Sequence, residues 1–336
     1  MNKFLNLIFT SLFLIGCSQK TPDFVHIQGR TMGTTYSIKY NSQKNITPQQ
    51  VSDGVEKLLK EFNQVASTYI SDSEISLINN SDAFENKKVS KEMQLLIKRG
   101  FEIAKKTNEH FDPTIGPLVN VWGFGPKKRD ETPTDDEINK ALRLVGTHLF
   151  PLNNDLLSKL KKGGYLDFSA YAKGRGVDLV FEYLRSVGAT EVFVEIGGEI
   201  RAVGSKKVWR VGIEKPTSEN SRSAHKIVSL KNKSIATSGD YRNVKLLKSG
   251  KKISHGISLK TGRPKENTIA SVSVIADDCL SADAWATGLM VAGMKNLKEL
   301  VTKYSLAVYV IYQDENNSDQ YLTYQSPGWN KFEEKK

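Results

Sequence analysis

The sequence predicts an α+β fold, with largely antiparallel sheets packed against helices in one compact unit with a ligand cleft. Three observations point there. Helical periodicity is concentrated in the first half of the chain. Short alternating segments dominate the second half. One helix pair returns near Ser281 to Tyr304. Regular alternation of strand and helix would have argued a doubly wound parallel sheet, whereas this segregation argues antiparallel pairing. No fixed-period repeat, long linker or low-complexity block divides the chain, so residues 24–330 read as a single domain.

The elements follow from local chemistry. Phe24 to Ile27 and Thr34 to Tyr40 alternate as strands on either side of Gly29 to Gly33. Thr47 and Pro48 suit the N-cap and first turn of a long helix whose buried stripe reads Val51, Val55, Leu58, Phe62 and Val65. Ser90 opens a helix that ends near Thr107, with Leu96, Ile97 and Ile103 inside. Thr134 to Glu137 matches a capping box. Val177, Val180, Phe181, Leu184 and Val187 mark a further helix that stops at Gly188. Short strands are expected at Gly164 to Phe168, Glu191 to Ile196, Val208 to Ile213, Ile227 to Leu230, Ile269 to Ile275 and Ser305 to Tyr312. Ser281 is the expected N-cap of the helix that follows Ile275.

Composition narrows the function. The chain has 336 residues, 39% hydrophobic and 25% charged, with a net charge of +11. That is ordinary globular composition. The basic residues are scattered and not interleaved with aromatics, which favours anionic ligands or membrane headgroups and argues against nucleic acid as a partner. Met1-Asn2-Lys3, the apolar run Phe4 to Ile15 and then Gly16-Cys17 read as a secretory signal over residues 1–16. Leu14-Ile15-Gly16-Cys17 looks like a bacterial lipobox, in which Cys17 is acylated with a palmitate-type lipid and residues 17–23 form a tether. The expected place is the periplasmic face of a bacterial membrane, the inner one by preference. The other cysteine, Cys279, leaves no intrachain disulfide for the folded part.

Several stretches carry chemistry. Ser281 to Gly288 reads Ser-Ala-Asp-Ala-Trp-Ala-Thr-Gly, and on a helix Asp283 and Thr287 share one face. A carboxylate and a hydroxyl there make half of an oxygen site for a hard cation such as Mg²⁺. The plainer alternative has Asp283 serving the helix N-terminus and Thr287 bonding back to a carbonyl. Phe111 to Gly125 is a shaped loop of prolines and glycines in which Asn120, Trp122 and Phe124 can face a flat heterocycle. Leu166 to Asp178 reads as a strand running into a helix start, where free amides, Lys173 and Arg175 suit a phosphate or pyrophosphate. Glu195 to Glu199 places a Gly-Gly turn at a strand end, and His255 is one of five histidines and a candidate acid–base group. No Ser-His-Asp elbow, zinc spacing, Walker A sequence or dinucleotide glycine fingerprint occurs.

The order of the pieces says more than any one of them. Thr31 to Tyr36, Ser67-Thr68-Tyr69 with Asp72-Ser73, Asp112-Pro113-Thr114 to Gly125, Asp167 to Asp178, Gly197-Gly198, Thr237-Ser238-Gly239, His255 with Thr261 to Pro264, and Ala282-Asp283-Ala284 with Thr287 occur in sequence. This resembles the ApbE family of flavin-transfer lipoproteins over about Gly29 to Pro327. The resemblance implies an enzyme that takes FAD as substrate, cleaves its pyrophosphate with Mg²⁺ and joins FMN to a Thr or Ser hydroxyl of a target protein through a phosphoester, releasing AMP. It implies acceptors among the subunits of membrane redox complexes, bearing a short Asp/Ser-Gly-Ala-Thr/Ser segment, with the enzyme itself held at the membrane by lipid.

Carried over residue by residue, the resemblance has Met32, Tyr69, His110, Phe111, Asp112, Asp167, Lys173 and Ile257 lining FAD. Asp283, Thr287 and the carbonyl of Ala170 bind Mg²⁺, and His255 is the candidate base, with Lys173 stabilising charge. One position departs: where many members carry Ile-Ile-Asp-Pro, this chain has Gly256-Ile257-Ser258-Leu259, so the acidic residue is Ser258 and Lys260 stands nearby. Two alternatives share the same residues. One is a periplasmic FAD-binding lipoprotein, and the other is an Mg²⁺-dependent FAD pyrophosphatase in which water replaces the acceptor.

Overall fold

A two-residue turn at Met32-Gly33, both at positive φ (48° and 74°), folds β1 (Phe24–Thr31) back on β2 (Thr34–Asn41) as the opening hairpin. The computed structural model describes residues 24–205, 208–214, 224–239, 244–314, 316–317 and 320–333. The signal segment, Cys17 and the tether lie outside them, as do Asp240 and Tyr241. Among the described residues no helix is long and apolar enough to cross a membrane.

The remaining elements are α1 (Pro48–Ala66), α2 (Glu74–Asn80), β3 (Phe84–Lys88), α3 (Lys91–Lys106), α4 (Gly116–Val121), α5 (Asp135–Leu142), β4 (Leu152–Asn153), β5 (Leu156–Lys159) and α6 (Ala172–Ser186). They continue with β6 (Val192–Ile196), β7 (Glu199–Val203), β8 (Trp209–Glu214), β9 (Ala224–Leu230), β10 (Lys233–Gly239), β11 (Val244–Leu246), β12 (Lys252–Ser254), β13 (Ile269–Ala276), α7 (Cys279–Tyr304), β14 (Ala307–Gln313) and β15 (Tyr321–Gln325). The main sheet has eight strands in the order β1-β2-β6-β7-β10-β13-β14-β15. Every neighbouring pair in it is antiparallel, as the segregated pattern predicts.

α1, α6 and α7 cover one face of this sheet. Val51, Val55 and Leu59 of α1 and Val177, Val180 and Leu184 of α6 bury against Ile38, Val192 and Val194. α7 packs Leu289, Met290 and Val301 on Val272, Val274 and Val308. On the other face, the β8–β9 hairpin and Trp329 close over Ile235, Tyr309 and Ile311. A second apolar cluster gathers α1, α3 and the loops around Phe111, Phe168 and Tyr171. A third joins α4 and α5 to Leu247, Ile253 and Ile257.

Three of the predicted N-caps sit where the sequence places them. Thr47 and Thr134 form reciprocal capping boxes with Gln50 and Glu137, and Ser90 caps α3. The stripe of α1 runs through Leu59 and Ala66 instead of Leu58 and Val65, which lie half-buried at its border.

Two further expectations fail. Gly164 to Phe168 is extended but belongs to no sheet. The Asn79 side chain takes the place of a strand partner, accepting from Leu166 N–H at 2.7 Å and donating to Leu166 O at 2.8 Å. The N-cap of α7 is Asp278, not Ser281: its Oδ1 accepts the Ser281 N–H at 2.8 Å while Arg99 holds the carboxylate at 3.0 Å. The expected helix pair is present. Gly293, at φ 75°, breaks the run between Cys279 and Tyr304 into two helical pieces.

Candidate functional site

The residues that the family resemblance carries over all line one cleft of about 800 Å³: Met32, Tyr69, His110, Phe111, Asp112, Asp167, Ala170, Lys173, His255, Ile257, Asp283 and Thr287. The cleft lies where the β1–β2 turn, the start of α6, the β6–β7 turn and the front of α7 meet.

One end of the cleft is built from stapled loops. Asp112 Oδ1 accepts from Thr114 N–H at 2.7 Å and from its hydroxyl at 2.6 Å. Burial nonetheless pushes the Asp112 carboxyl above its ordinary range. Asp167 Oδ1 accepts from Ser169 N–H at 2.8 Å, and its own N–H donates to Pro113 O at 2.7 Å, tying the two loops together. Tyr69 stands 66% exposed at the rim, an aromatic face available to a planar ring. Burial, with Lys260 adding to it, pulls His110 below the usual histidine range. Met32 reaches across to α6, where its Cε would lie 2.6 Å from a Cβ on Gly176; only glycine leaves it that room.

The charged end is built from α6, α7 and β7. Asp283, 3% exposed, accepts the Gly174 N–H at 2.9 Å. Burial raises its carboxyl, and Lys173 and that N–H work against the rise. Lys173 Nζ stands 3.1 Å from Glu199 Oε1 and 3.9 Å from Asp283 Oδ2. Burial opposes the lysine's charge, but the two carboxylates outweigh it and hold the ammonium above its ordinary pKa. Thr287, one helical turn beyond Asp283, has its hydroxyl 3.4 Å from Ala170 O and 3.1 Å from Ser238 Oγ.

Those oxygens suit a hard cation. The edge of an octahedron with 2.1 Å metal–oxygen bonds is about 3 Å, a few tenths of an ångström shorter than the 3.4 Å hydrogen bond from Thr287 Oγ1 to Ala170 O. Among the described residues no group of three or more His, Cys, Asp or Glu is arranged to hold a metal ion. One carboxylate with neutral oxygens is the protein share expected for Mg²⁺ that also binds substrate phosphates.

Four sequence expectations are corrected here. Arg175 does not face the cleft: it is buried and paired with Glu92 at 2.7 and 3.1 Å and with Glu182 at 2.9 Å. The Gly174 amide, counted as free for phosphate, is occupied by Asp283. Trp122 is a core residue whose Nε1 donates to Gly262 O at 2.7 Å, and Asn120 also stays out of the lining, leaving Phe124 of that trio. Glu199, quoted only as part of a Gly-Gly turn, proves to be the ion-pair partner of Lys173. The signal for it was there, an acidic residue following two glycines, but only the β6–β7 hairpin packed against α6 brings it to Lys173.

The ApbE family model matches residues 32–310. A FAD:protein FMN transferase of Vibrio cholerae is 39% identical over 96% of this chain and 97% of its own length. One of Haemophilus influenzae is 37% identical over 97% and 96%. Among solved structures, the flavin transferase ApbE from Vibrio cholerae superposes with a TM-score of 0.84 at 37% identity, covering 93% of this chain and all of that one. An ApbE protein from Thermotoga maritima gives 0.82 at 26% identity, covering 93% of this chain and all of its own.

Proposed function

Because the chain belongs to the ApbE family, we propose that its cleft takes FAD and hands the FMN half to a target protein. The observation that carries this is the meeting, in one cleft, of a heterocycle-sized loop pocket with Lys173, Asp283, Thr287 and His255.

The isoalloxazine end lies between Met32, Tyr69 and the 110–112 segment, and the pyrophosphate lies at Lys173. Asp283, Thr287 and the Ala170 carbonyl are the residues that would hold Mg²⁺. When bound, that ion draws electron density from the pyrophosphate oxygens. Lys173 neutralises charge that builds on the same oxygens. His255 takes the proton from a Thr or Ser hydroxyl of the acceptor. That oxygen forms a bond to the FMN phosphorus, and the bond from that phosphorus to the bridging oxygen breaks. AMP leaves with the bridging oxygen, and a phosphoester joins FMN to the acceptor. General-base help of this kind contributes about 10²–10⁴ in rate.

Lipid on Cys17 would hold the enzyme at the periplasmic face of the membrane, beside membrane redox subunits as acceptors. The test is incubation with FAD, Mg²⁺ and a Thr-bearing acceptor polypeptide, followed by in-gel flavin fluorescence and assay of AMP. A fluorescent acceptor band with matching AMP is expected. AMP and free FMN without a labelled band would replace the transferase with a pyrophosphatase.

A further inference from the structure

The hairpin of β11 and β12 ends at the catalytic histidine, and its two faces differ. Lys245 points inward: its Nζ donates to Trp122 O at 3.0 Å, and its cross-strand partner Ile253 is buried in the α4–α5 cluster. Its neighbours Val244 and Leu246 therefore point outward, since side chains alternate along a strand. They are 51% and 61% exposed. Their cross-strand partners are Ser254, whose hydroxyl is buried, and Lys252, so the outer face reads as two bare aliphatics beside an exposed lysine. Among the described residues no strand pairs with the second edge of β11.

This face is continuous with the cleft. Val244 and His255 both line it, and Ser254 immediately precedes His255. Bare aliphatics occur elsewhere on the surface, Leu77 and Leu160 among them; what sets Val244 and Leu246 apart is their place beside the cleft, where a polypeptide presenting a hydroxyl to His255 would run. We propose that the outer face of the β11–β12 hairpin docks the acceptor protein, seating apolar side chains that flank the acceptor hydroxyl on Val244 and Leu246. The inference rests on the transferase reading of the cleft. An extended segment advances about 3.3 Å per residue, so side chains two to four residues from the hydroxyl at His255 reach these positions. Lys252, opposite Leu246, favours an acidic residue in the same segment.

Two labelled peptides test this, each with one threonine in a Gly-Ala-Thr core, flanked at two to four residues by leucines in one and by serines in the other. Anisotropy measures their binding to the FAD-loaded chain, and flavin fluorescence measures transfer separately. The unaltered chain should bind the leucine peptide roughly tenfold more tightly, as expected for burying an exposed aliphatic contact. Leu246→Ser, at a position outside the cleft lining, should reduce that preference to under about twofold while leaving the FAD Kd and thermal midpoint unchanged. A preference that survives Leu246→Ser, or no preference in the unaltered chain, overturns the docking site. So does a dimer in sedimentation that Leu246→Ser dissociates, since the face would then belong to a second copy. Tight binding of the leucine peptide without flavin transfer would leave the docking site standing and count against the transferase reading.

Discussion

Lys173 Nζ lies 3.1 Å from Glu199 Oε1, and the second oxygen of Glu199 is buried with no hydrogen-bond partner among the described residues. The glutamate thus bears on the lysine through one oxygen and keeps the other in reserve. Burial pushes the Glu199 carboxyl up, and the ammonium pulls it back. The pairing sets where the lysine's charge sits relative to Asp283, 3.9 Å away on the far side.

Removing that charge tests its role. Lys173→Met should lower kcat by about 10²–10³, the usual loss for one preorganised charge-stabilising group. Glu199→Gln keeps the shape and an acceptor oxygen but frees the ammonium to move toward Asp283, so a smaller fall of about tenfold is expected. Steady-state flavinylation of an acceptor polypeptide measures both. Equal losses for the two variants would show that Glu199 does more than aim the lysine.

The oxygen set at the front of α7 makes a separate prediction about metal. Asp283→Ala should abolish Mg²⁺-dependent turnover while leaving the thermal midpoint within a few degrees, and a chelator should silence the unaltered chain in the same way. Isothermal titration with Mg²⁺ in the presence of FAD gives a direct readout. Cation dependence that survives Asp283→Ala would remove this carboxylate from the ion's coordination.

A close helix contact supports the same carboxylate. A Cβ on Gly174 would lie 2.4 Å from Cys279 O and 2.9 Å from Asp283 Cβ. The first neighbour is backbone and cannot yield, so Gly174→Ala must separate α6 from the front of α7. Overpacking of this kind costs about 1–3 kcal/mol. The expected result is a thermal midpoint lower by several degrees together with weaker Mg²⁺ binding. Normal Mg²⁺ affinity in a destabilised Gly174→Ala protein would show that Asp283 does not depend on this contact.

Much of this was legible in the sequence because the signals are local. Thr47, Ser90 and Thr134 announce helix starts within four residues of themselves. The i, i+4 spacing of Asp283 and Thr287 places both on one face wherever the helix goes. What stayed hidden depends on contacts far along the chain. Asn79 substitutes for a strand beside Leu166 from 87 residues away. Arg175 looked like a phosphate ligand until α3 supplied Glu92. Asp278 outcompetes Ser281 as N-cap with the support of Arg99, 179 residues earlier. Periodicity carries no information about such partners.

Arg175 yields a stability prediction that also separates it from the site. It ties α3 to α6 with its side chain only 9% exposed. Arg175→Met should destabilise the protein by about 1–3 kcal/mol, since Glu92 and Glu182 lose a partner but remain partly in water. FAD affinity should stay within about twofold. Denaturant unfolding and flavin fluorescence quenching give the two numbers, and a large loss of FAD affinity in a folded variant would return Arg175 to the phosphate site.

The loop beyond Trp122, which contributes Phe124 and Lys128 to the cleft, is held by a half-buried pair that responds to pH. Arg129 meets Glu137 at 2.8 and 2.9 Å. That contact, followed by the Thr134 N–H, lowers the Glu137 pKa from 4.5 to about 2. A carboxylate with a depressed folded pKa stabilises fully above its unfolded value. The contribution is therefore complete above about pH 4.5 and is lost as pH falls toward 2. Glu137→Gln, which keeps an acceptor for the helix cap but no charge for Arg129, should show faster amide exchange over residues 127–138 than the unaltered chain at pH 6. The two proteins should converge as pH approaches 2. A difference undiminished at pH 2 would mean that the charge of Glu137 is not what holds the loop.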